Sequence, residues 1–235
     1  RNPNDLKKIN SLVKHAKKNN EIVACLIERE TLFSNSKKVI KPKIERSLIS
    51  RKDFIKTFLQ VIPSNSKIIS TTGYTSRELF KIRNKINLNN GKDFYMVGGM
   101  GHAQTVSLGY SMYSKKKVFC LDGDGSILMH MGAMRNVAFF GKQNLTHIVL
   151  NNNAHESVGG QTTTANGINF KLLSKSLGYK SFLEINVKKI TKNEIKKILK
   201  LKGPSLVEVK IGMGKEENLG RPSNFSLIKE NFQLK

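Results

Sequence analysis

An α/β fold, with a mostly parallel sheet and helices on both faces, is predicted by three features of the sequence. Helix-like and strand-like stretches alternate along the chain, three consecutive strand-like runs end in small or hydroxyl residues, and 38% of the 235 residues are apolar, enough for a genuine core. In open parallel sheets the ligand crevice forms outside such strand ends.

The elements follow in order. Residues 5–19 space Leu6, Ile9, Val13 and Ala16 along one helical face, and "EIVACLI" then reads as a buried strand. "ERETLFSNSKKVIKPKIERS" has little period and a proline, and reads as a linker. Ser50 can cap a helix that ends near Leu59, ahead of Pro63. Strand "KIIS", loop "TTGYTS" and helix "RELFKIRNKI" come next, then strand "DFYMV", loop "GGMG" and helix "HAQTVSLGYSMY". The third unit is strand "KVFCL", loop "DGDGS", helix "ILMHMGAMRNVAFF" and strand "HIVL". Helix "FKLLSKSL", strand "SFLEINV", helix "NEIKKILKL" and strand "SLVEVKI" precede an irregular tail.

The formal charge of +24 would ordinarily suggest a nucleic acid or an anionic membrane surface as partner. The excess is nearly all lysine (33 Lys against 8 Arg) and travels with 23 Asn, which marks compositional drift on solvated helix faces. Between Val118 and Phe170 the charged residues are Arg135 and Lys142 against Asp122, Asp124 and Glu156, so the motif-dense part of the chain is its least basic. No basic stripe interleaved with aromatics appears, and nucleic acid is not the expected partner, although a basic nucleic-acid-binding module stays as the alternative from another class. No run is long and apolar enough to span a bilayer, and Cys25 and Cys120 both lie in apolar strand-like runs, where reduced, buried thiols are expected. A cytoplasmic protein is the expectation. The chain does not begin with Met, which suggests a fragment or a processed chain.

The loop "DGDGS" brings together what a bound diphosphate requires. Gly123 and Gly125 allow close backbone approach, and a helix starting near Ser126 aims N–H groups at an anion. Asp124 would repel the same diphosphate unless a divalent cation lay between them, and Mg²⁺ is the natural candidate. The strand "THIVL" should run beside "VFCL" and deliver the Asn152 amide to the same edge of the sheet as a second oxygen ligand, with the backbone carbonyl of Ala154 as a third. Taken singly, Asp124 reads as a turn residue and "NNN" as Asn-rich composition; their joint placement at two strand ends favours a site.

"GDGS", followed after 24 intervening residues by "NN" at Asn151 and Asn152, resembles the diphosphate and Mg²⁺ motif of thiamine diphosphate enzymes. "STTGYTSRELF", "VGGMGHA", "LNNNAHESVGGQTT" and "NLGRP" extend the similarity from Ser70 to Pro222, and within that superfamily the chain is most similar to the phosphonopyruvate decarboxylase family and its sulfopyruvate relatives. Asn153 departs from the pattern by standing where the family usually has Gly, which asks it to adopt a left-handed turn.

The resemblance implies that Met100 sits between the two rings of the cofactor and bends it, while the Gly98 carbonyl faces its aminopyrimidine; Thr72 and Thr75 resemble positions lining the cofactor site. It also implies an activating Glu supplied by a pyrimidine-binding domain, usually a neighbouring subunit's, so that the chain would be silent alone and part of a homo-oligomer. Residues 1–33 then read as the closing remnant of such a domain, 34–49 as the linker, and 50–235 as the diphosphate-binding domain. The expected substrate is a 2-oxo acid with an anionic head group, phosphonopyruvate before sulfopyruvate. His102 and His155, beside the expected crevice, are candidates to meet it, as is Arg221, while Ser157, Gln161 and the threonines of "QTTT" could close over it. His130 and His147 take a structural reading. An inactive regulatory subunit with the same fold is a further alternative.

Overall fold

The computed structural model divides into two units, residues 1–39 and 40–235. It describes residues 3–28, 31, 48–85 and 92–234. The first unit holds helix α1 (Pro3–Asn19), on which Leu6 and Val13 are exposed. The strand expected at "EIVACLI" does not form: the segment has no regular secondary structure, Ile22 and Leu26 are exposed, and so is Cys25, which was expected to be buried. A strand needs a neighbour for its N–H and C=O groups, and among the described residues no strand pairs with this one. The expected linker, 34–49, lies outside the described residues except for its last two.

The second unit opens with α2 (Arg51–Leu59), whose cap is the expected one: the Asp53 N–H donates to the Ser50 hydroxyl at 3.0 Å. Then come β1 (Lys67–Ser70), α3 (Tyr74–Lys85), β2 (Asp93–Tyr95), α4 (Ala103–Tyr113), β3 (Val118–Gly123), α5 (Asp124–Met129) and α6 (Gly132–Phe140). Strand β4 (Leu145–Asn151) leads to a small antiparallel pair, β5 (Ala154–His155) and β6 (Gln161–Thr162). The chain continues through α7 (Phe170–Leu177), β7 (Ser181–Ile185), α8 (Lys192–Leu199), β8 (Ser205–Lys210) and α9 (Phe225–Leu234).

Six strands form one parallel sheet in the order β2-β1-β3-β4-β8-β7. Successive side chains on a strand point to opposite faces, and both faces are covered. Phe119 and Leu121 join one core with Phe54 and Phe58 of α2, Leu79 of α3 and Ile195 of α8; Val118 and Cys120 join the other with Leu108 of α4, Val137 of α6, Phe170 of α7 and Phe232 of α9. Burial on both sides explains why these strands read as unbroken apolar runs rather than alternating ones.

Several boundaries differ from expectation. Helix α3 starts at Tyr74, inside the expected loop "TTGYTS", and β3 runs on through Asp122 to Gly123, so that α5 starts at Asp124 and not near Ser126. The single helix expected at "ILMHMGAMRNVAFF" is broken at His130, which has φ −142° and ψ 51°. Gln104 of α4 makes the break tolerable by donating its side-chain N–H to the freed His130 carbonyl at 3.1 Å. The tail is not irregular throughout: α9 is anchored by Phe232, tilted against Phe94 and Tyr110, and the buried Lys67 ammonium donates to the Phe232 carbonyl at 2.7 Å.

Candidate functional site

The sheet order creates the site. From β1 the chain passes through α3 to β2 on one side, then returns through α4 to β3 on the other. The loops leaving β1 and β3 therefore diverge, which opens a crevice at the carboxyl ends of those strands. A cavity of about 390 Å³ lies there. Thr72 and Thr75 line it from the loop after β1, Gly98 and Met100 from the loop after β2, Gly123, Asp124, Gly125 and Ser126 from the turn into α5, and Asn152, Ala154 and His155 from the chain after β4.

Hydrogen bonds lock these loops together. The Ser126 hydroxyl lies 2.8 Å from the Thr71 hydroxyl and accepts the Gly101 N–H at 3.0 Å, joining three loops at one atom. Gly101 has φ +89° and faces the Ser126 carbonyl, so no side chain fits there. At Gly125 the reason is close approach: a Cβ would come 2.7 Å from the His155 ring. The glycine lets that imidazole pack over the turn.

Asp124, 2% exposed, is the electrostatic centre of the cavity. Its carboxylate accepts the Thr163 hydroxyl at 2.5 Å and the Asn152 N–H at 3.4 Å. Burial raises its pKa above the usual carboxylate range, while those two hydrogen bonds, and N–H groups of its own residue and Gly125, work in the opposite direction. Among the described residues no cationic side chain pairs with it. An ionised carboxylate in such a place calls for a cation. Asn152 and Ala154 line the same cavity, and their amide and carbonyl oxygens are hard donors that could hold a divalent cation such as Mg²⁺. The Asn152 amide is oriented, its Oδ1 accepting the Ala154 N–H at 3.1 Å and its Nδ2 donating to Glu156 at 3.1 Å. Asn153 takes φ +54°, the left-handed geometry its position requires.

Not every candidate converges. His102 is exposed at the start of α4, with its ring centroid 4.1 Å from that of His130, and it is not among the residues lining the cavity. Gln161 is exposed on β6 and also stands outside the lining, whereas Ser157 and Arg221 are part of it. The Thr163 hydroxyl reaches Asp124. Sequence reasoning missed Arg51 and Glu78 and gave Glu156 no role. Arg51 lines the cavity, donates to Glu156 at 2.6 Å and to Glu78 at 3.4 Å, and is almost wholly buried. No spacing signal could have found a pair 105 residues apart.

A second cluster lies deeper in the sheet. His147 bridges Asp122 at 3.3 Å and the Tyr179 hydroxyl at 3.0 Å, with Cys120 close by. Burial pushes the Cys120 thiol and the Tyr179 phenol well up, so both stay neutral. The structural reading of His147 and the buried thiol at Cys120 agree with this geometry.

Residues 72–209 match the family model of the thiamine pyrophosphate enzyme C-terminal TPP binding domain. The chain is 34% identical over 168 residues to phosphonopyruvate decarboxylase from Streptomyces viridochromogenes, a match covering 72% of this chain and 41% of that protein. It is 32% identical over 129 residues to sulfopyruvate decarboxylase subunit beta from Methanocaldococcus jannaschii, covering 54% of this chain and 66% of that one. A solved structure, thiamine diphosphate-dependent 4-hydroxybenzoylformate decarboxylase from Rhodococcus jostii, superposes with a TM-score of 0.57 at 17% identity, over 81% of this chain and 37% of that one. The fold and the crevice at the divergence of β1 and β3, which Asp124 and Asn152 both line, thus have one explanation: the chain belongs to the thiamine pyrophosphate enzymes and carries their C-terminal TPP binding domain.

Proposed function

We propose that this chain provides the diphosphate- and metal-binding part of a thiamine diphosphate- and Mg²⁺-dependent decarboxylase acting on an anionic 2-oxo acid. Phosphonopyruvate is the first choice of substrate and sulfopyruvate the second. The observation that carries this is the buried Asp124 carboxylate, without a cation among the described residues, facing the Asn152 side of a cavity. The names of the relatives support the substrate class, and the chain spans only about two fifths of the phosphonopyruvate decarboxylase it matches.

Asp124, Asn152 and the Ala154 carbonyl would hold Mg²⁺. Gly123, Gly125 and Ser126 would receive the diphosphate, with Thr72 beside it, and Met100 and Gly98 would set the bend and the pyrimidine contact. When bound, thiamine diphosphate supplies the electron sink for the pair left behind as CO₂ departs. A proton then takes the place of the lost carboxylate, so that phosphonopyruvate gives phosphonoacetaldehyde. Around the cavity, Arg77 and Arg221 form no ion pair among the described residues, which leaves them to meet the anionic head group. His155, packed on Gly125, stands where it can exchange a proton with substrate; His102 takes no part in this scheme. The carboxylate that activates the pyrimidine ring would come from a pyrimidine-binding domain of the same or a neighbouring subunit in a cytoplasmic homo-oligomer. Residues 1–33 would be the end of such a domain.

The test is CO₂ release from phosphonopyruvate and from sulfopyruvate by the assembled enzyme, with and without Mg²⁺ and thiamine diphosphate. Turnover that needs both cofactors and favours phosphonopyruvate is expected. Salt-dependent retention on DNA, with no effect of cofactor and Mg²⁺ on melting temperature, would overturn it in favour of a nucleic-acid-binding module. Cofactor binding without turnover of any 2-oxo acid would indicate a regulatory subunit.

A further inference from the structure

We infer that Glu156, fixed by Arg51, is a positioning residue that decides which end of the Asn152 amide faces the metal. The inference rests on the proposed Mg²⁺ site. A carboxamide has two ends of nearly the same shape, and only the oxygen can ligate a cation. A side chain free to turn over would spend part of its time presenting NH₂ to the metal, and the site would lose affinity accordingly. An ionised carboxylate only accepts hydrogen bonds, so placing one beside the amide selects the NH₂ end and turns the oxygen away from itself. Glu156 does this: its Oε2 receives Asn152 Nδ2 at 3.1 Å, while Asn152 Oδ1 takes the Ala154 N–H at 3.1 Å.

For this to work, Glu156 must not wander into the metal site itself. It is held from two directions. Arg51 donates to the same Oε2 at 2.6 Å, and the Gly214 N–H donates to Oε1 at 2.5 Å. Arg51 stands at the first turn of α2 with its side chain 6% exposed, and its other ion pair is with Glu78, whose side chain is 1% exposed. A guanidinium shared between the buried Glu78 and the part-buried Glu156 is not available to clamp substrate, although it lines the cavity. Its work is to keep the Glu156 carboxylate in place.

The test uses Mn²⁺ as probe, its binding to the assembled enzyme at saturating thiamine diphosphate being read from loss of the free-ion electron paramagnetic resonance signal. Glu156→Ala should weaken Mn²⁺ binding by about 10- to 100-fold, the usual effect of removing a group that orients a metal ligand. Glu156→Gln, whose amide oxygen can still accept from Arg51 and Asn152, should lie between Ala and the parent. Phe58→Leu, a core change on α2 away from the cavity, should lower the melting temperature and leave Mn²⁺ affinity alone. The decisive comparison is made in an Asn152→Asp background, where both ends of the side chain are oxygens. There, Glu156→Ala should no longer weaken Mn²⁺ binding. A loss of the same size in both backgrounds, or Glu156→Ala binding Mn²⁺ as tightly as the parent, would overturn the inference. If the parent itself showed no Mn²⁺ binding promoted by thiamine diphosphate, the metal-site proposal would fail instead, so the two failures are distinct.

Discussion

Asp124→Asn is expected to raise the melting temperature of the unliganded protein and to remove its stabilisation by Mg²⁺ and thiamine diphosphate. Both effects come from the same atom. The carboxylate is 2% exposed and has no cationic partner among the described residues, so ionising it in the unliganded fold costs free energy that a neutral amide of the same shape avoids. Thr163 can turn its hydroxyl to accept from an amide as readily as it now donates to the acid. With ligands present the order reverses. At about 100 times its dissociation constant a ligand adds about 2.7 kcal/mol of stability, which for a domain of this size raises the melting temperature by roughly 5–10 °C, and the variant should show none of it. The sign of the pH dependence follows from the raised pKa. A proton binds the folded state more tightly than the unfolded one, so the parent's contribution from this residue is most favourable below the ordinary carboxylate range and is lost as pH rises through the folded value. Asp124→Asn should flatten that slope. A calorimetric series across pH, with and without Mg²⁺ and thiamine diphosphate, checks all three points, and an unliganded variant less stable than the parent at pH 7 would contradict them.

Arg51→Ala should be among the most destabilising single changes in the domain. It strands Glu78 and Glu156, two carboxylates with little exposure, and breaking a buried ion pair from one side costs about 3–5 kcal/mol, or a fall in melting temperature on the order of 10 °C. Burial already holds the Glu78 pKa above its ordinary value, against the lowering effect of Arg51. Removing the guanidinium should push it higher still. Because the folded-state pKa is the raised one, stability from this group is present at low pH and declines as pH rises past about 4.5 and through the folded value. The deficit of Arg51→Ala relative to the parent should therefore shrink on acidification, and adding Glu78→Gln should recover part of it at neutral pH. Urea denaturation at two pH values measures both. A deficit that stays constant with pH would mean that Arg51 acts through packing rather than charge.

The distance between residues in the chain decides how much of this could be read from sequence. Strand "KIIS" and helix "FKLLSKSL" were legible to the residue because each is a short run with its own punctuation, and Ser50 capped the helix it was expected to cap. That the chain at Asn152 passes beside Asp124, where its backbone N–H donates to the carboxylate, was legible because both lie at the ends of adjacent parallel strands, where register carries one to the other. What failed lacked a local signal. The break at His130 depends on a glutamine from another helix, and the tail becomes helical because Phe232 finds a place against Phe94 and Tyr110. "EIVACLI" has the composition of a strand, but strand formation is a property of pairs and the described residues offer it no neighbour. His102, picked for its place beside the crevice, is exposed next to His130 and outside the lining, while Arg51, from a helix with no motif, is part of it.

The contrast between an exposed Cys25 and a Cys120 sealed in the middle of β3 equips the molecule with its own unfolding indicator. A thiol-specific chromogenic reagent such as Ellman's should release a single equivalent of dye from native protein promptly. The second equivalent should appear only as fast as the sheet comes apart, so its rate would time opening of the domain without any label, mutation or tryptophan.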